Sequence, residues 1–90
     1  MFKTLEELIN VIRQRKVSPA KESYTKKLLD NKKLNVEKVK EEIAELIDSI
    51  EKNSNKVHEA ADVLYHLMVL LEANGIKIED VMEELKKRQK

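Results

Sequence analysis

The chain contains one glycine, Gly75, and one proline, Pro19, and this scarcity of turn residues constrains its fold more than any motif. Sandwiches and barrels need a turn every ten or so residues and strands rich in β-branched and aromatic side chains. Three aromatics in 90 residues do not supply them. What remains is long helices with few connections, and the apolar residues are spaced accordingly. Leu5, Leu8, Ile9 and Ile12 follow the capping-box pair Thr4 and Glu7, predicting a helix from about Leu5 to Lys16. Val17 to Glu22, holding Ser18-Pro19, reads as a connection, after which Ser23 caps a short helix carrying Tyr24, Leu28 and Leu29. Asn35 is expected to cap a third helix, in which Val36, Val39, Ile43, Leu46, Ile47 and Ile50 form one apolar stripe as far as Asn53-Ser54-Asn55. A fourth helix runs from about Lys56 to Asn74 and stops at Gly75, and a fifth from Glu79 to Arg88 has acids first and bases last. The expected fold is all-α, a five-helix chain forming one domain over residues 1–90.

Composition removes several classes of function. With 41% hydrophobic residues the chain is too apolar for disorder, and with no cysteine any metal must be held by oxygen or imidazole. The longest uncharged apolar run, Leu67 to Leu71, is too short to span a bilayer, and the amino terminus lacks the order of a signal peptide; a cytoplasmic protein is expected. Residues 1–40 carry eleven Lys/Arg against five Asp/Glu, and residues 41–90 carry seven against twelve. The basic half has no interleaved aromatics and no docking motif, so nucleic acid is not an expected partner. A 90-residue core is marginal, and the fourth helix has more apolar surface than its neighbours can cover, which predicts a homodimer or larger assembly.

The informative anomaly is carboxylates on apolar helices. At 100° per residue, Lys38, Glu42 and Glu45 fall within about 60° of one another beside the stripe of the third helix, and Glu41 lies further round. Glu59, Asp62 and His66 share a similar arc of the fourth helix, whose other directions hold Ala60, Ala61, Val63, Leu64, Leu67 and Met68. A helix so apolar is buried, so its acids point inward, where a carboxylate must be protonated, paired or metal-bound. Antiparallel packing of these two helices lets Glu42, Glu45, Glu59 and Asp62 converge on one cavity suited to magnesium or manganese. The competing reading is interhelical pairing of the same acids with lysines. His66 fits a hydrogen-bonded core histidine as well as a functional one, His58 belongs on the surface, and Tyr65 and Met68 read as core.

Glu41-Glu42-x-x-Glu45 followed by Glu59-x-x-Asp62 resembles the signature of the all-α nucleotide pyrophosphohydrolases, the MazG-like superfamily. More narrowly, Ser23-Tyr24-Thr25, Lys38-Val39-x-Glu41-Glu42, Glu59-Ala60-Ala61-Asp62-x-Leu64-Tyr65-His66-Leu67 and Gly75-x-x-x-Glu79-Asp80-Val81 resemble the phosphoribosyl-ATP pyrophosphohydrolase family of histidine biosynthesis, over nearly the whole chain. The resemblance implies a MazG-like helical bundle completed by dimerisation. It further implies magnesium-dependent cleavage of phosphoribosyl-ATP, a small-molecule nucleotide, to phosphoribosyl-AMP and pyrophosphate. By the same resemblance Glu42, Glu45, Glu59 and Asp62 are the metal ligands and Glu41 is a supporting or water-orienting acid, while Arg15, Ser23, Tyr24, Thr25, Lys38 and His66 contact substrate. Asn31, Lys40 and Lys77 depart from the family pattern, in loop geometry more than in chemistry. The rival functions are a house-cleaning pyrophosphohydrolase of (d)NTPs, which shares the acids but not the Ser23-Tyr24-Thr25 and Tyr65-His66 context, and a non-catalytic helical dimer.

Overall fold

The most apolar segment of the chain becomes its centre. In the computed structural model, which describes residues 2–17 and 23–89, helix α4 (Lys56–Ala73) packs most extensively against α3 (Lys32–Lys52) and also touches α1 (Lys3–Val17), α2 (Tyr24–Asp30) and α5 (Ile78–Arg88). The all-α architecture is as expected, with no strand among the described residues. No helix is long and apolar enough to cross a membrane.

Ile9 and Ile12 of α1, Leu28 of α2 and Met68 and Val69 of α4 form the core, ringed by Leu5, Leu8, Leu29, Leu34, Tyr65, Leu67, Leu71 and Ile78. Ile12, Leu28 and Val69 are completely buried, each contributing about 1.5–3 kcal/mol relative to exposure. Two helix ends close in the same way. Asn53 takes left-handed φ/ψ of 55° and 48° while the Ser54 N–H donates to the Ser49 carbonyl, and Gly75 sits at φ +71° while the Ile76 N–H donates to the Leu71 carbonyl. Both are six-to-one closures, and they require the αL conformation that glycine and asparagine adopt most cheaply. The three-residue connection Asn53 to Asn55 turns α3 and α4 into an antiparallel hairpin.

Several local expectations are corrected. The cap of α3 is Asn31, not Asn35: its side chain accepts from the Leu34 N–H, and the extra turn lets Leu34 pack on the core. Asn35 is a wholly buried residue within the helix. Thr4 does not cap α1, which starts one residue earlier at Lys3, with the Glu6 N–H bonded to the Phe2 carbonyl. Val17 ends α1, and the rest of the expected connection, residues 18–22, lies outside the described residues. Lys77, the N-cap of α5, makes no side-chain capping bond. The apolar stripe of α3 is real but is not its buried face. Asn35, Val39, Glu42 and Ser49 are buried, whereas Ile43, Ile47 and Ile50 are 42%, 53% and 56% exposed. The buried line is turned about 70° from the stripe, toward the acids.

Candidate metal centre

The hairpin places the acids of α3 opposite those of α4. Glu41, Glu42 and Glu45 each offer an oxygen within 4.8 Å of the others, and His58, Glu59 and Asp62 form a second such group. Glu45 influences both groups, raising the carboxyls of Glu42 and of Glu59. Beside it a cavity of about 300 Å³ is lined by Glu45, Asp48, Ser49, Ser54, Asn55 and Glu59. Glu42 and Glu45 thus share one group and Glu59 and Asp62 the other, and of the four only Glu45 and Glu59 line that cavity.

Their environment favours a cation. Glu42 is buried, and its Oε2 has no hydrogen-bond partner. Burial first, then Glu45 and the charge of Asp62, push the Glu42 carboxyl above the ordinary carboxylate range, which only a protonated His66 would oppose. Glu59 is raised by burial and by Glu45 and Asp62, with His58 opposing. Like charges crowded in a half-dry cleft disfavour ionisation. A divalent cation would supply what these groups lack, and an all-oxygen set is of the kind that magnesium or manganese takes. The lysine alternative has less support, since Lys38 Nζ reaches only Glu41, at 3.7 Å, among the acids of the cluster. His58 is exposed, as expected, and its Nε2 lies 3.3 Å from Asp62 Oδ2.

Helix α2 lies against one end of this cluster and is tied to α4 by side-chain hydroxyls. Ser23 Oγ accepts from the Lys26 N–H, capping α2 as expected. Thr25 Oγ1 hydrogen-bonds Tyr65 Oη, and Tyr24 Oη lies 2.8 Å from Nε2 of the buried His66. Nδ1 of His66 lies 2.8 Å from the carbonyl oxygen of Asp62. The Tyr24 and Tyr65 rings stack with centroids 6.1 Å apart, and the His66 ring stands edge-on to both. The charge of Lys38 lowers the Tyr24 hydroxyl and those of Glu42 and Glu41 raise it, but burial is the largest influence and leaves it above its ordinary value.

The structure thus joins Tyr24 to His66 and Thr25 to Tyr65 between α2 and α4, keeps Ser23 at the cap of α2 and Lys38 beside Glu41, and leaves Arg15 exposed on the last turn of α1. Tyr65, read from sequence as core alone, carries a second duty through its hydroxyl; its position beside His66 was the available signal. Arg13 is structural: its Nε bonds Glu72 Oε2 at 2.9 Å and its NH2 bonds Glu79 Oε1 at 2.7 Å.

The sequence profile described as phosphoribosyl-ATP pyrophosphohydrolase matches residues 5–89. The chain is 42% identical to the phosphoribosyl-ATP pyrophosphatase of Methanococcoides burtonii, over 94% of this chain and 91% of that one. It is 40% identical to a protein of the same name from Methanocella arvoryzae, over the full length of both. It is also 41% identical to the histidine biosynthesis bifunctional protein HisIE of Pyrococcus furiosus, matching 96% of this chain but only 41% of that longer protein. A profile match spanning nearly all of the described helices, with relatives at this identity end to end, means that the chain belongs to the phosphoribosyl-ATP pyrophosphohydrolase family of hydrolases.

Proposed function

We propose that this chain hydrolyses the α–β phosphoanhydride of phosphoribosyl-ATP, releasing pyrophosphate and phosphoribosyl-AMP in histidine biosynthesis, with magnesium, or manganese in its place, held by Glu42, Glu45, Glu59 and Asp62. The observation that carries the reading is the buried, unpartnered Oε2 of Glu42 within a four-carboxylate cluster, in a chain of this family. An ion held by these carboxylates would supply positive charge against the triphosphate and Lewis acidity toward the attacking water. Glu41, 53% exposed at the rim and leaning on Lys38, orients that water and takes its proton. Lys38 and Arg15 meet phosphate oxygens as charge-assisted donors.

The reading includes a homodimer in the cytoplasm. The accessible surface is 6979 Å² where a self-contained 10.5 kDa chain exposes about 5,400 Å². The radius of gyration is 14.3 Å where a compact 90-residue domain has about 12 Å. The surplus includes the uncovered stripe Val36, Ile43, Ile47 and Ile50 of α3 with Leu64 of α4, a face fit for a second copy.

Pyrophosphate release from phosphoribosyl-ATP, assayed beside ATP, dUTP and dCTP with and without magnesium, tests the assignment. Release from phosphoribosyl-ATP alone, only with the metal, is expected. Turnover confined to the (d)NTPs would make the chain a house-cleaning enzyme instead. Glu45→Gln and Asp62→Asn are expected to keep the helical circular dichroism and lose more than about a hundredfold in rate, the upper end of what disturbing residues behind metal ligands costs.

A further inference from the structure

The hydrogen bonds around His66 determine which way the hydroxyl of Tyr24 points. A carbonyl oxygen can only accept, so the contact between Nδ1 of His66 and the Asp62 carbonyl, at 2.8 Å, places the ring proton on Nδ1. In the neutral imidazole Nε2 is then bare, and the 2.8 Å contact to Tyr24 is a bond donated by the phenol. The single proton of the Tyr24 hydroxyl is committed inward, and only lone pairs face out. The histidine itself is 5% exposed and has both ring nitrogens engaged.

Tyr24 is 47% exposed and lines a cavity of about 640 Å³ with Ser23, Lys26, Lys27, Asp30 and Asn31. None of the four clustered acids lines that cavity. With the scissile phosphates at the acids, the outward edge of Tyr24 would face another part of the nucleotide. Phosphate oxygens are acceptors at neutral pH and would meet a lone pair with repulsion, whereas sugar hydroxyls donate. We infer that His66 is a positioning residue that fixes the polarity of the Tyr24 hydroxyl, and that Tyr24 accepts a hydrogen bond from a sugar hydroxyl of the nucleotide. The inference rests on the pyrophosphohydrolase reading and differs from the direct substrate contact that the family resemblance implies for His66. Thr25 and Tyr65 serve the same end, holding α2 so that the phenol cannot swing away from the imidazole.

Steady-state pyrophosphate release tests it with phosphoribosyl-ATP and with analogues lacking one ribose hydroxyl at a time. Tyr24→Phe is expected to raise KM about tenfold, the effect of one uncharged hydrogen bond, with kcat changed less than about twofold. His66→Leu frees the hydroxyl to rotate and should raise KM by a part of what Tyr24→Phe costs, and the double variant should lose no more than Tyr24→Phe alone. His66→Gln, whose amide oxygen can stand near the place of Nε2, should restore most of the loss. One deoxy analogue should be penalised about tenfold by the parent enzyme and not at all by Tyr24→Phe. An unchanged KM in Tyr24→Phe, multiplying losses in the double variant, a loss in kcat alone, or no discriminating analogue would each overturn the inference. The Tyr24→Phe and analogue comparison decides the matter even if His66→Leu does not fold. Failure of the parent chain to act on phosphoribosyl-ATP would instead overturn the reading beneath it.

Discussion

Arg13 is the residue on which the placement of α5 turns. Its guanidinium spans Glu72 of α4 and Glu79 of α5, and Lys16 adds a bond from Nζ to the Glu72 carbonyl at 2.6 Å. The Glu72 side chain is 10% exposed, so removing its counter-charge leaves a nearly buried carboxylate unpaired. Arg13→Ala is expected to destabilise the fold by about 2 kcal/mol, less than a fully buried pair because Arg13 is partly solvated, and to lower the thermal midpoint by roughly 10 °C. The hydrogen bond from Arg13 holds the Glu79 carboxyl at about 2, below the usual 4.5. A depressed carboxylate contributes stability above 4.5 and loses it as pH falls from there toward 2. The midpoint difference between the parent chain and Glu79→Gln should thus be present at about pH 7 and fade across that acid window, as thermal unfolding at several pH values would register. From sequence Arg13 was one cation among eighteen, because its partners lie 59 and 66 residues away.

At the scale of elements, periodicity was a sound guide to which segments are helical and a poorer one to what each face meets. The apolar spacing of α3 and α4 and the wheel positions of Glu42, Glu45, Glu59 and Asp62 are local properties, and so the acid cluster was legible. The exposed stripe of α3 was not, since an isolated helix carries no information about which side its neighbours take. Asn35 and Asn31 are equally good caps by residue type, and burial of Leu34 chose between them. The ties from Tyr24 to His66 and from Thr25 to Tyr65 join different helices and left no mark in spacing. The crowded hairpin also makes a prediction about metal. Glu42 and Glu59 are raised above 4.5, so the stability they contribute is full below that value and is lost as pH rises through their folded values. A divalent cation cancels that loss. Magnesium should therefore raise the thermal midpoint more at about pH 8 than at about pH 5, and equal shifts at both would contradict the four-carboxylate site.

For the whole molecule, the surplus of accessible surface over a self-contained chain is about 1,500 Å², comparable to what one partner gives up in a substantial interface. Replacing Ile47 and Ile43 on the uncovered stripe of α3 by aspartate should halve the mass measured by sedimentation, from twice 10.5 kDa to a single chain, while leaving the helical signal of the hairpin. A parent chain that sediments as a monomer would remove the dimer from the proposal.

The connection at Asn53–Asn55 has a kinetic consequence. Because only three residues separate α3 from α4, their contacts are close in sequence and close early, before the longer-range docking of α1 and α5. All seven acids from Glu41 to Asp62 belong to this early hairpin, so their mutual repulsion is met on the way up the barrier and not after it. Cations that quench the repulsion should accelerate refolding and leave the unfolding rate nearly unchanged, a division readable from the two arms of a chevron recorded with and without magnesium.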